Sequence, residues 1–311
     1  MYDNSPKEER MAAGKRVGLI GVGLMGYGIG KNIVTKGHSL KVLAHKNREP
    51  VEKLLKLGAT EGKSPKEIAA ESDIVFLCVT GSPQVEEVVY REDGLLAGVH
   101  KGLIVADCST AEPSSTLKVA ADIQKKGGRF ADTPLTRTPV EAEAGKLGLM
   151  TGGDDATLKE LRPVLDCFAE AIIHAGGIGA GHKLKLINNF IALGTATVVA
   201  EAITAATKAG VDLQALHDIV VAGGAKSVMF ERLMKVPLAN DDTALKFAVA
   251  TARKDLRYYT NMTEQISATS FVAEVVHQNF IMAENAGYSQ RFVPRMVDFF
   301  AGLNGVENRK K

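Results

Sequence analysis

The tightest constraint on this chain is residues 21 to 26, GVGLMG, a GxGxxG pattern that directly follows the apolar run RVGLI and opens a segment of helical character. The three glycines are needed for three separate reasons. Gly21 permits the tight turn, Gly23 lets backbone approach a pyrophosphate, and Gly26 lets the helix pack closely on its strand. The helix N-terminus, at Leu24 and Met25, presents N–H groups and positive potential to phosphate oxygens. Gly21, Gly23, Leu24, Met25 and Gly26 are therefore the first candidate cofactor residues.

Residues 16 to 178 continue the rhythm that this unit begins. Strands are predicted at RVGLI (16–20), LKVLA (40–44), IVFLCV (74–79), LIVADC (103–108), RFADT (129–133), LGLMTG (147–152) and AIIHAG (171–176). Most are continuous apolar runs, as parallel strands covered on both faces require. Amphipathic segments such as PVEKLLKLG and PSSTLKVAADIQKKG lie between them. The fold class is thus α/β, a Rossmann domain with a doubly wound, mostly parallel sheet.

From residue 182 the alternation stops. HKLKLINNFIALGTATVVAEAITAATKAG runs without proline, apolar or small on every side, and predicts a long interdomain helix buried all round. DLQALHDIVVAGG, TALKFAVATARKDLRYYTNMTEQI, SFVAEVVHQNFIMAENAG and VPRMVDFFAGL read as further helices, giving an all-α domain over 179–308. Its alanine, glycine and valine content suits pairing with further copies as a homodimer or homotetramer. Residues 1 to 15 contain acids and no apolar core, which fits a flexible extension and neither a secretory signal nor a transit peptide.

Composition removes several classes of function. A net charge of +2 gives no broad basic surface, and with 5% aromatics and no tryptophan there is no stacking platform for bases. Nucleic acid and acidic membranes are therefore poor partners, and no apolar run reaches the roughly 18 residues of a membrane span. The histidines form no HxxxH or HxH pair, so no metal site is expected. Cys78, Cys108 and Cys167 are widely spaced and read as reduced, in a cytoplasmic protein.

About 20 residues beyond the last glycine, an NAD site usually carries an acid for the ribose 2′-hydroxyl. Here the second strand ends Ala44-His45-Lys46-Asn47-Arg48. His45, Lys46 and Arg48 would attract a 2′-phosphate, which favours NADP and leaves NAD open.

GVGLMGYGIGKNIVTKGH (21–38) resembles the signature of the β-hydroxyacid dehydrogenases, the 3-hydroxyisobutyrate dehydrogenase family, with Gly30 in place of the usual alanine. DCST (107–110), GAGHKLKLINN (179–189) and KDL (254–256) follow in the family's order. The resemblance implies hydride transfer between a nicotinamide and a short hydroxy acid or its aldehyde. It also implies that Lys185 is catalytic, that Asn189 is its partner, and that Val79, Thr80, Thr110 and Lys254 border the cofactor.

The lysine can also be read physically. Lys185, Asn188 and Asn189 stand at i, i+3 and i+4, on one helix face. An ammonium there can deliver the proton that a carbonyl oxygen needs as hydride arrives, while the amides hold substrate without competing for that proton. His182, one turn earlier, reads as a packing or cap-region residue.

The family's DAPVSGG block is here Asp132-Thr133-Pro134-Leu135-Thr136-Arg137-Thr138. Thr136, Arg137 and Thr138 thus occupy the place where relatives seat the substrate's acid group. A guanidinium fork suits a carboxylate, phosphate or sulfonate. The 3-sulfolactaldehyde reductase branch also carries an arginine in this loop, although Ala192 stands where that branch has a hydroxyl. The expected function is an NAD(P)-dependent semialdehyde reductase or 3-hydroxyacid dehydrogenase. A sulfolactaldehyde-type reductase is the alternative within the class, and a non-catalytic dinucleotide-dependent binding module the alternative outside it. Imine reduction is disfavoured because protonated Lys185 would repel an iminium ion.

Overall fold

The computed structural model describes residues 14–307, so almost all of the expected N-terminal extension lies outside the described residues. Two compact units are present. The first holds residues up to 79, 83–109 and 117–178; the second holds 80–82, 110–116 and 179 onward. The division is therefore not a single cut in the chain.

Among the described residues the first unit carries nine strands: β1 (Arg16–Ile20), β2 (Ser39–Leu43), β3 (Thr60–Gly62), β4 (Ile74–Leu77), β5 (Ile104–Asp107), β6 (Arg129–Asp132), β7 (Leu135–Thr136), β8 (Leu147–Gly152) and β9 (Ala169–Gly176). The sheet runs β3-β2-β1-β4-β5-β6-β8-β7, with β9 beside β8. The strands from β3 to β6 are parallel. β8 is antiparallel to β6 and β7, and parallel to β9. β3 and β7 are absent from the expected set, because TEG is short and polar and Leu135–Thr136 has only two residues.

Alternation along the strands builds two cores, one on each face. Val17, Leu19, Val42, Phe76 and Ile104 point to one side, against Ile29 and Ile33 of the helix Leu24–Thr35 and Leu161 of Asp155–Leu165. Ile20, Val75, Leu77 and Val105 point to the other, against Ile68, Val85, Val119 and Ile123. Each fully buried aliphatic side chain contributes about 1.5–3 kcal/mol. This double cover is why the strands read as unbroken apolar runs. The strand order reverses between β1 and β4, which opens a crevice at their carboxyl ends, where Gly21 and Val79 lie.

The helix Leu24–Thr35 is seated by missing side chains. A β-carbon on Gly28 would stand 2.4 Å from the Ala142 carbonyl carbon and 2.6 Å from the Glu143 nitrogen. Asn32 completes the joint, its Nδ2 donating to the carbonyls of Gly28 (2.8 Å) and Ala142 (2.9 Å). The short helix Pro139–Glu143, just beyond Thr138, is thereby fixed to the glycine-rich helix.

In the second unit, Leu193, Ala196, Ala200 and Ile203 of the helix Ala180–Lys208 pack with Phe230, Leu233, Leu256, Phe280 and Met296. Contrary to expectation, this helix is long and apolar enough by length and composition to cross a membrane. It serves instead as the core helix of the unit. Nor is it buried all round, since only one side meets its neighbours. Ile191 (62% exposed) and Val198 (66%) form an outward stripe with Ile187. Phe271, Val272 and Val275 are likewise exposed on the neighbouring helix Phe271–Ala283. Val228–Ala239 is a helix missed in the sequence, its pattern masked by Pro237 in the last turn. The helix Val249–Gln265 starts later than expected, because Ala248 forms a bridge with Phe292.

The segments 80–82 and 110–116 join this unit through specific bonds. Ser82 N–H donates to Tyr258 Oη (3.2 Å), and Asn261 Nδ2 donates to Glu112 Oε1 (2.8 Å). The Thr116 hydroxyl and His182 Nδ1 lie 2.7 Å apart, His182 being fully buried.

Two glycine substitutions should separate packing from exposure. Gly28→Ala gains about 1 kcal/mol of helix propensity but forces backbone apart, at about 1–3 kcal/mol or more. A net loss of stability is expected in urea denaturation. Gly23→Ala, with nothing within 4 Å of the new carbon, should leave the midpoint unchanged; equal losses would contradict this account.

Candidate active site

At the carboxyl end of β1, Gly21 has φ +104°, and a β-carbon on it would lie 2.2 Å from the Cys78 carbonyl oxygen. A β-carbon on Gly26 would stand 2.0 Å from the Gly21 oxygen. Gly23, the N-cap, instead faces open space, and no acid occupies the first helical turn at Leu24 and Met25. Two glycines close the turn and the third leaves room, the shape that backbone binding of a pyrophosphate requires. Val79 N–H donates to Ser109 Oγ (3.0 Å), and Ser109 N–H donates to the buried Asp107 (2.9 Å). Burial pushes the Cys78 thiol up to about 12 and the Cys108 thiol well above its ordinary value, which disfavours the thiolate at both positions.

At the end of β2, His45, Lys46 and Arg48 are all exposed. Arg48 makes a two-pronged pair with Glu61 of β3, Nη1 to Oε1 at 3.1 Å and Nη2 to Oε2 at 2.9 Å. That guanidinium holds the Glu61 carboxyl below the usual range. Glu61 lay on a strand that the pattern did not reveal.

After β6, Thr136 sits in β7, its hydroxyl over Gly148, where a β-carbon would approach to 2.3 Å. Arg137 adopts φ +78°, a glycine-like conformation that costs a side-chain-bearing residue about 1–2 kcal/mol. Its Nη1 donates to the Lys146 carbonyl (2.5 Å) and pairs with the Glu170 carboxylate, leaving the arginine side chain 37% exposed. Thr138 caps the helix Pro139–Glu143; its N–H (3.0 Å) and its hydroxyl both donate to Glu141. Three neighbouring residues therefore have three separate local partners.

The second unit gathers the other candidates around one buried carboxylate. Asn188 Nδ2 donates to Asn189 Oδ1 (3.3 Å), and Asn189 Nδ2 donates to Asp255 Oδ2 (2.7 Å). Lys254 Nζ lies 2.8 Å from Asp255 Oδ1, 3.2 Å from the Thr110 carbonyl and 4.7 Å from the centre of the Tyr258 ring. Lys185, one turn before Asn189 on the same helix, is part-exposed. Its ammonium is held below the usual lysine value by burial; Asp255 opposes that shift and Lys254 reinforces it. Thr80 also belongs to this unit and is exposed. Asp255 was not among the expected candidates, although KDL placed it beside Lys254. No cluster of metal-ligating side chains occurs among the described residues.

Residues 16–177 match the family described as the NAD binding domain of 6-phosphogluconate dehydrogenase. Residues 179–299 match the family described as NAD-binding of NADP-dependent 3-hydroxyisobutyrate dehydrogenase. The 2-hydroxy-3-oxopropionate reductase of Escherichia coli K12 is 33% identical over 217 residues, 70% of this chain and 73% of the relative. The 3-sulfolactaldehyde reductase of the same organism is 27% identical over 271 residues, 87% of this chain and 91% of that protein. The solved structure of Mycobacterium tuberculosis 3-hydroxyisobutyrate dehydrogenase with L-serine superposes with a TM-score of 0.84 at 25% identity, covering 92% of this chain and 99% of that one.

Proposed function

The chain belongs to the β-hydroxyacid dehydrogenase family and is an NAD(P)-dependent hydroxyacid dehydrogenase, and from this premise we propose that it interconverts a short anionic aldehyde and its hydroxy acid with Lys185 as general acid and base. The observation that carries the reading is the lysine's environment, an ammonium with a depressed pKa one helical turn from an amide tied to Asp255. A non-catalytic binding module is set aside by family membership.

Gly21, Gly23, Leu24, Met25 and Gly26 would hold the pyrophosphate, and Val79, Thr80, Thr110 and Lys254 would border the rest of the cofactor. The bound nicotinamide supplies or accepts the hydride. In reduction, Lys185 Nζ passes a proton to the carbonyl oxygen; in oxidation, the neutral amine takes one from the hydroxyl. Asn188 and Asn189 orient the substrate, Asn189 with the N–H that Asp255 leaves over. NADP is the preferred cofactor, supported by the exposed His45, Lys46 and Arg48 and by the lack of an acid at the end of β2.

Arg137, flanked by Thr136 and Thr138, receives the substrate's anionic end. A carboxylate is the leading choice, in keeping with the oxopropionate named for one relative. A sulfonate is the second reading, favoured by the likeness to 3-sulfolactaldehyde reductase together with Arg137 itself. The outward stripe of Ile191, Val198, Phe271, Val272 and Val275 supports a homodimer through the helical unit.

Lys185→Ala should bind NADPH normally yet lose turnover by about 100-fold or more, read by NADPH fluorescence and absorbance. In the wild type, reduction should fade as pH rises through a lysine pKa below 10.5, and oxidation should rise over the same interval. A lysine variant with full activity would sink the mechanism. Arg137→Gly should raise KM for anionic aldehydes about tenfold or more, with little change for uncharged ones; an unchanged KM would remove Arg137 from substrate recognition. Val275→Lys should yield monomers in sedimentation, and an intact dimer would exclude that face.

A further inference from the structure

We infer that Glu61 is a selectivity residue for the cofactor's adenosine ribose: it clasps Arg48, and a 2′-phosphate binds only by displacing it. The inference rests on the reading that Arg48 recognises that phosphate. Both ends of the clasp are fixed by backbone. Glu61 lies on β3, in register with Val42 of β2, and Arg48 is the N-cap of the helix Glu49–Lys56. Between them run two parallel hydrogen bonds, 3.1 and 2.9 Å, which take up the guanidinium fork in the geometry that a phosphate would also use.

The charges around the fork make simultaneous occupation costly. Glu52 stands 3.8 Å from Arg48 Nε, so a 2′-phosphate approaching this arginine meets two carboxylates already in place. Lys46, exposed before the helix, supplies positive charge that does not relieve the competition for the fork. An unphosphorylated ribose makes no demand on Arg48 and leaves the clasp closed. Glu61 therefore lowers affinity for NADP while leaving NAD untouched, and it does so from β3 instead of from the end of β2, where ribose-binding acids usually stand. The pair is exposed, 52% for Arg48 and 33% for Glu61, so the effect is small.

The test is the dissociation constant of NADPH and of NADH for the full-length enzyme without substrate, measured by fluorescence. Glu61→Gln is expected to tighten NADPH about two- to fivefold and to leave NADH unchanged. The double variant with Arg48→Ala should bind NADPH no better than Arg48→Ala alone. NADH binding reports on folding in every variant. An unchanged NADPH constant in Glu61→Gln, with Arg48→Ala still weakening NADPH selectively, overturns the inference and leaves the NADP reading intact. Equal losses of NADPH and NADH in Arg48→Ala overturn both.

Discussion

The first unit depends on backbone meeting backbone where side chains are absent. At Gly21, Gly26 and Gly28 a single added carbon would collide with main-chain atoms of Cys78, Gly21 and Ala142. Those contacts set the angle of the helix Leu24–Thr35 against the sheet. Through Gly28 and Asn32 they also fix the helix Pro139–Glu143, and with it the segment that carries Thr136, Arg137 and Thr138. One helix thus ties the glycine-rich turn to the loop proposed to read the substrate's charge. Rigid support of this kind is what a site needs when positions must hold to a fraction of an ångström.

The second unit is organised by charge. Asp255 is almost wholly buried, accepts a hydrogen bond from Asn189 and is ion-paired with Lys254, while Lys254 reaches back to the Thr110 carbonyl. A buried carboxylate is costly unless paired, and removing one partner from such a pair typically costs about 3–5 kcal/mol. The network therefore fixes the helices Ala180–Lys208 and Val249–Gln265 against one another. The same carboxylate moderates Lys185, whose proton affinity reflects burial and Lys254 on one side and Asp255 on the other.

Much of this was legible in the sequence because it is periodic or conformationally strict. The strands of β1, β2, β4, β5, β6, β8 and β9 announced themselves as apolar runs, and the glycine fingerprint announced the turn. β3 did not, since an edge strand of three residues buries little, and with it went Glu61, the partner that Arg48 holds. The helix Val228–Ala239 was hidden by Pro237, and the long helix read as buried all round because small residues give no sign of which face is covered. Side-chain pairings were the least legible. Arg137 with Glu170 and Thr138 with Glu141 are matters of distance that spacing alone does not reveal.

The membership of residues 80–82 and 110–116 in the helical unit bears on how the chain can be divided. These stretches lie just after β4 and β5 and run into the helices Ser82–Tyr90 and Pro113–Lys125, so each belongs to a connection of the sheet by sequence and to the helical unit by contact. A break after residue 178 would separate Ser82 from Tyr258, Thr116 from His182 and Thr110 from Lys254. Neither fragment would keep both members of any of those pairs. The helical half is thus incomplete as an excised piece, and an exchange of halves between relatives would have to carry these two stretches with the helices they serve.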